Sequence, residues 1–229
     1  MTEPDVMVYL MTGFLDSGKT QFLTFTLKQD YFQIDGKTLL ILCEEGEEEY
    51  DPMEMLKYGV VIEKVEDQED LTAEWLEEMN RKHEPERVVV EYNGMWKVSD
   101  FENMKLPAGW GIEQKITTVD ASTFQMYLTN LKPLFVEMVR GADMVLFNRC
   151  EDIKPLAGYR RSVKVVSPQA EVIFEDEQGE IENIFEDEVP YDLKAPVIEI
   201  AKEDYGIWYV DMMENPDRYK GKVVEYTAK

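Results

Sequence analysis

Cysteine and histidine are almost missing from this chain of 229 residues: Cys43, Cys150 and His83 are all there is. Thiol and imidazole chemistry therefore has little to work with, and the usual structural zinc sites are not on offer. Two cysteines without a disulfide framework point to a reduced, cytoplasmic protein. His83 follows Arg81 and Lys82 at the end of a helical pattern, where a cation suits the carbonyl end of the macrodipole, so it reads as a helix-end residue and not as a metal ligand. No run of about 18 apolar residues occurs, and the opening Met-Thr-Glu-Pro-Asp is acidic where a signal peptide is basic. The expectation is no membrane insertion and no export by that route. Positive charge is scarce as well. With 24 Lys and Arg against 48 Asp and Glu, the formal charge is -24, which argues against nucleic acid as a partner, because each neutralised phosphate needs a cation. An anionic membrane surface is disfavoured for the same reason. Repeats and heptads are absent too.

What remains suits a folded α/β domain. Hydrophobic residues make up 44% of the chain and aromatics 11%, and at this size roughly 70 to 75% of the unfolded surface can be buried without a disulfide or metal staple. Residues 5–12 form a nearly unbroken apolar run, as does 39–43, and 88–90 a shorter one; such runs are strands buried on both faces. Further strands are predicted at 60–64, 115–120 and 144–148, with helical patterns at 21–28, 71–83 and 123–139 between them. The alternation predicts a mostly parallel sheet covered by helices.

After about residue 170 the character changes. A strand-like stretch at 171–174 leads into an acidic segment with turn signals, and Pro190 and Pro196 bracket a linker. A strand at 197–200, a short helix at 206–215 and a strand at 222–227 follow. That last strand shows no obvious partner, which suggests a truncated second module, or pairing with the main sheet or another chain. The organisation expected is a main α/β domain over 1–170, an acidic β/linker segment over 171–195 and the start of a small module over 196–229. The thirteen methionines are scattered, as core filling requires. Tyr205, Trp208 and Tyr209 read as a packing anchor for the second module.

The strongest chemical signal is Gly13-Phe14-Leu15-Asp16-Ser17-Gly18-Lys19-Thr20, which fits the phosphate-loop pattern G-x-x-x-x-G-K-[ST] directly after a strand and at the start of a helix. Glycines let successive N–H groups turn inward as an anion nest, and the helix presents its positive dipole end there. Lys19 is expected to reach the β and γ phosphates and Thr20 to hold Mg²⁺. Gly13, Asp16, Ser17, Gly18, Lys19, Thr20 and Gln21 are thus the nucleotide-binding candidates of this segment. The surplus of acids does not forbid a polyphosphate. Distant charges are screened beyond about 8 Å, whereas one Lys at about 4 Å contributes roughly 4 kcal/mol. Asp16 is the odd member, since a carboxylate in a phosphate nest costs affinity unless it points outward or touches the metal or the base.

Residues 88–94, VVVEYNG, predict a strand that delivers Glu91 to its carboxyl end, followed by Gly94, whose N–H can approach a γ-phosphate. Glu91 is a candidate to hold the metal or to orient an attacking water. Residues 44–49, EEGEEE, fall at the same edge. Such a run stays mobile without a cation, as a switch loop does, and Glu45 and Glu47 are the candidate metal-shell residues within it.

These segments, followed by ITTVDASTF and ADMVLFNRCED, stand in an order that resembles the G3E group of P-loop GTPases, in particular its CobW-like branch of metal-centre insertion proteins. The resemblance spans residues 5 to about 166. It implies phosphate contacts from Gly13 to Lys19, Mg²⁺ on Thr20, a Walker B role for Glu91 with Gly94, and guanine recognition by Asn148 and Glu151. The base motif departs from the family's N-K-x-D, so Arg149 takes the place of the Lys stem over the base and Glu151 that of the Asp. GTP is expected, with ATP left open. The branch's C-x-C-C cluster has no counterpart in residues 47–87, which disfavours zinc transfer through the usual family site. The terminal stretch from Met212 resembles the opening of a small OB-like domain. The reading is a Mg²⁺-dependent GTP-binding protein that hydrolyses slowly and docks on a protein partner in metal or cofactor homeostasis, with homodimer formation in the triphosphate state left open. Its alternatives are a nucleotide-sensing module without turnover and a scaffold with an empty loop.

Overall fold

Apolar runs without alternation become the centre of the sheet, where both faces are covered. In this computed structural model, which describes residues 4–151, 153, 156–181 and 189–227, the chain runs through β1 (Val6–Thr12), α1 (Lys19–Leu27), β2 (Thr38–Leu42), α2 (Pro52–Leu56) and β3 (Val60–Lys64). It continues with α3 (Ala73–His83), β4 (Arg87–Glu91), α4 (Val98–Glu102), β5 (Trp110–Asp120), α5 (Phe124–Asn130) and α6 (Lys132–Val139). Then come β6 (Met144–Asn148), α7 (Leu156–Lys164), β7 (Glu171–Asp176), β8 (Gly179–Glu180), β9 (Val197–Ile200), α8 (Tyr205–Glu214) and β10 (Val223–Tyr226).

The described residues form an eight-stranded sheet in the order β3-β2-β4-β1-β5-β6-β7-β8. Its neighbours are parallel from β3 to β7, and only β8 is antiparallel. Every residue of β2 and β4 is buried, as the VVV and LLIL runs demand. One face packs Val8, Leu10, Leu39, Val88, Val90 and Phe147 against the helices that follow β3, β5 and β6. The other packs Met11, Leu40 and Val89 against Leu23 and Leu27 of α1. Each such side chain contributes about 1.5–3 kcal/mol relative to exposure.

The mostly parallel sheet expected from the alternation is the one observed, and the differences are local. The predicted helix over 123–139 is two helices, because Pro133 lacks an N–H and its ring opposes the carbonyl four residues back; the chain breaks at Leu131, with φ -127° and ψ 30°. Strand β5 begins five residues before the predicted 115, and it absorbs a register shift between Val8 and Tyr9 of β1. The final strand was expected to lack a partner within its own module. It pairs instead in parallel with β9, Val223 beside Val197 through Tyr226 beside Ile200, because the turn at α8 returns the chain alongside. Strand β7 joins the main sheet beside β6, so the sheet continues past residue 170. Part of the acidic segment, residues 182–188, lies outside the described residues.

The small sheet has a core of its own in Tyr191, Ile198, Ile200, Trp208 and Tyr219. Trp208 is buried there, with Tyr205 and Tyr226 rings 5.3 and 5.1 Å from it; Tyr209 remains on the surface. Asp211 is fully buried and is kept so by donors: Tyr219 hydroxyl, Asn215 at 2.8 Å and Arg218 at 3.1 Å. Unpaired, such a carboxylate would cost several kcal/mol.

Candidate functional site

Parallel strands deliver their carboxyl ends to one edge, and here that edge collects β1, β2, β4, β5 and β6. Residues 13–18 leave β1 and curl back, closed by Ser17 N–H donating to the Phe14 carbonyl at 3.1 Å. Gly18 has φ +90°, and a Cβ there would stand 2.4 Å from Asn148 Nδ2. Only glycine fits that turn. As the N-cap of α1, Gly18 offers no side-chain acceptor, which leaves first-turn N–H groups for an external anion.

Lys19 is 4% exposed and curls over its own loop. Its ammonium donates to the Gly13 and Phe14 carbonyls, both at 3.0 Å, and to Glu44 Oε2 at 2.5 Å. Thr20 hydroxyl donates to Glu91 Oε1 at 2.7 Å, and the Tyr50 hydroxyl donates to Glu91 Oε2. Burial pushes the Glu91 carboxyl above the usual carboxylate range, against the opposing pull of Tyr50, Thr20 and Lys19. Burial, followed by the Glu91 charge, likewise drives the Tyr50 hydroxyl upward, so it remains a donor.

Gly94 closes the third side. A Cβ on it would lie 2.4 Å from the Gly13 carbonyl and 2.8 Å from Phe14 Cα, so the turn after β4 touches the phosphate loop backbone to backbone. Its N–H donates to Glu44 Oε1 at 3.3 Å.

The structure brings Asp16, Gly18, Lys19, Thr20, Gln21 and Glu91 to the lining of one cleft, with Gly13 and Gly94 packed backbone to backbone beside it and the Ser17 hydroxyl turned to Thr118 at 2.9 Å. Asp16 has φ +58° and is exposed; it lines the phosphate-loop cleft opposite Gly46, with Oδ1 3.2 Å from where a Cβ on Gly46 would stand. Gln21 lines the adjoining groove with Asn148, Arg149 and Glu151. Asn148 Nδ2 donates to the Ser17 carbonyl at 2.8 Å, and its Oδ1 is buried without a partner. An orphaned acceptor at that place fits a donor on a base edge. Arg149, on the same groove, donates to the Asp16 carbonyl at 2.8 Å and to Asp120 Oδ2 at 2.7 Å. Glu151 is exposed on the groove.

Glu45 is drawn away from Thr20 and pairs with Lys64 on the surface at 2.5 Å, in the next cleft, while Glu47 lines the phosphate-loop cleft. The acid that touches Lys19 is Glu44, which the sequence reading passed over. Its signal was there: the apolar run ends at Cys43, whose N–H bonds the Glu91 carbonyl, so Glu44 is the first residue beyond the strand. Tyr50 had no such signal, since only the loop's return brings it under Glu91.

Hard oxygen donors at Thr20 and Glu91 suit Mg²⁺. Among the described residues no group of three His, Cys, Asp or Glu is close enough to hold a metal ion. Cys43 and Cys150 are free and buried; burial raises the Cys43 thiol well above its ordinary value and that of Cys150 to about 12, so neither is a ready thiolate. His83 ends α3 as read, its Nε2 2.7 Å from Glu63. No helix of the described residues is long and apolar enough to cross a membrane.

Comparison with known proteins agrees with this geometry. A crystal structure of the hydrogenase maturation factor HypB from Archaeoglobus fulgidus matches 76% of this chain and 83% of its own, at 17% identity and TM-score 0.51. Zn(II)-bound YjiA GTPase from E. coli matches at 22% identity and TM-score 0.56, covering 80% of this chain, which spans 60% of YjiA. HypB from Helicobacter pylori, solved in complex with nickel, matches at 11% identity and TM-score 0.50 over 98% of this chain and 92% of its own. At such identities the likeness is one of fold. A search of curated proteins finds no match. The model of the CobW/HypB/UreG nucleotide-binding domain, however, matches residues 7–174. With the phosphate loop, Glu91 and Gly94 gathered at one sheet edge, the chain belongs to the CobW/HypB/UreG family of nucleotide-binding domains, the G3E group of P-loop GTPases.

Proposed function

We propose that this protein binds GTP with Mg²⁺, hydrolyses it slowly, and uses the nucleotide state to control docking on a protein partner in metal or cofactor homeostasis. The observation that carries the reading is the meeting of Lys19, Thr20, Glu91 and Gly94 around a loop whose first-turn amides are free of side-chain caps. Lys19 would exchange its bonds to the Gly13 and Phe14 carbonyls for phosphate oxygens, and loop amides would take the rest. Thr20 and Glu91 would hold Mg²⁺, which would offset the negative charge of the phosphates. Glu91, at the end of a buried strand, is the group placed to orient a water. The groove beyond Gly18, with the Asn148 acceptor and the Glu151 carboxylate, would take the base. An amide acceptor and a carboxylate favour the N–H groups of guanine, and ATP is the competitor to test.

That YjiA was solved with Zn(II) and one HypB with nickel motivates the metal-homeostasis part of the proposal. A module that senses nucleotide without turnover is the second reading, and the observation favouring it is that both Glu91 oxygens are already engaged by Thr20 and Tyr50.

Calorimetric titration with GTP, GDP and ATP, with and without Mg²⁺, tests the proposal. The expected result is GTP preferred over ATP, Mg²⁺ enhancement, and loss of binding in Lys19→Ala; equal heats for wild type and Lys19→Ala would remove the phosphate-loop assignment. Phosphate release abolished by Glu91→Gln with binding intact would exclude the non-hydrolysing reading.

A further inference from the structure

Glu44 spans two donors with its two oxygens. Oε2 accepts from the Lys19 ammonium at 2.5 Å, and Oε1 accepts from the Gly94 N–H at 3.3 Å. Both donors are those that a phosphate-loop site directs at the terminal phosphate of a nucleoside triphosphate. The pair is well buried, with side chains 3% and 9% exposed, and the ammonium's three protons are used up by Glu44, Gly13 and Phe14. A buried ion pair of this geometry is costly to open without a replacement anion. The acid also sits at the root of the 44–50 segment, whose far end, Tyr50, holds Glu91.

We infer that Glu44 is a specificity-determining residue: its carboxylate stands in for the terminal phosphate, so a nucleoside diphosphate binds with Glu44 in place and a triphosphate binds only by expelling it. This rests on the nucleotide-binding reading above. Two anions cannot share Lys19 and the Gly94 amide, since like charges brought that close repel strongly in a partly buried site. Expulsion of Glu44 moves the start of the 44–50 segment away from the loop, which ties the segment's position to whether the third phosphate is present. The same competition favours the diphosphate over the triphosphate more in the wild-type site than in a site without this acid.

Titration calorimetry in Mg²⁺ with GDP and with a non-hydrolysable GTP analogue, on wild type, Glu44→Gln and Lys19→Ala, reads this directly. The expected result is that Glu44→Gln tightens the triphosphate analogue about tenfold more than GDP. An equal change for both ligands, or a weaker triphosphate, overturns the inference, the latter because Glu44 would then be a ligand and not a competitor. Wild type that binds neither nucleotide overturns the functional reading instead, so the two failures are distinct. A second measurement needs no variant. Cleavage of the wild-type protein by a glutamate-specific protease at Glu47–Glu49 is expected to speed up with the triphosphate analogue and not with GDP; equal rates, or protection by the triphosphate, refute the expulsion of Glu44.

Discussion

Two residues carry the site in ways that can be separated. Glu91 is buried, and its folded carboxyl holds a proton more tightly than the unfolded one does. A group raised in this way adds stability below its unfolded value, near 4.5, and loses it as pH rises through the folded value. Urea unfolding of wild type and Glu91→Gln from pH 5 to 8 should therefore show the wild type losing stability relative to the variant as pH increases; a difference independent of pH contradicts the burial of a charge. Gly94 is a steric requirement. An added Cβ would strike Gly13 and Phe14 backbone, which cannot rotate aside, so Gly94→Ala is expected to cost about 1–3 kcal/mol of stability and to weaken nucleotide binding, by urea titration and calorimetry respectively. Of these residues Lys19, Thr20, Glu91 and Gly94 were legible in the sequence, because motif spacing reports backbone geometry. Glu44 and Tyr50 were not, because five acids in six positions look alike until a fold ranks them by distance.

Elements obey their local signals where capping and periodicity decide. Helix α3 starts at Thr72, whose hydroxyl accepts from Trp75 N–H at 3.1 Å, and it ends on Arg81, Lys82 and His83 beside its carbonyl pole. Thr72→Ala should lower stability by about 1 kcal/mol in a urea titration, with no effect on nucleotide affinity, since α3 touches none of the site residues named above. Where a tertiary contact decides, the reading slipped. The last strand finds β9, which nothing local to 222–227 announces; the division of the long helix at Pro133, by contrast, is a local effect of the missing N–H. Arg149 shows how far tertiary contacts reach: it lines the base groove, and its guanidinium is fixed by Asp120 at the end of β5 and by the Asp16 carbonyl.

The whole molecule lives with a charge of -24. Attraction at the site is local and repulsion is spread over the surface, so the two respond differently to salt. Raising NaCl from 0.01 to 0.15 M should increase Tm, by about 2–4 °C for each kcal/mol of repulsion relieved in a chain of this size, as a thermal melt followed by circular dichroism would show. An unchanged or falling Tm would mean that the acids are already compensated by pairs such as those of Lys64 and Lys82.

By itself the sequence determined the alternation of strands and helices, the loop between β1 and α1, and the order in which the functional segments reach the sheet edge, since each of these depends on neighbours a few positions apart. Only the tertiary structure decided that Glu44 and not Glu45 meets Lys19, that Tyr50 holds Glu91, and that Asp120 fixes Arg149 at the rim of the base groove. Those contacts join residues 25, 41 and 29 positions apart, and it is the strand order β2-β4-β1-β5, not any local pattern, that sets which of several similar side chains arrives within bonding distance.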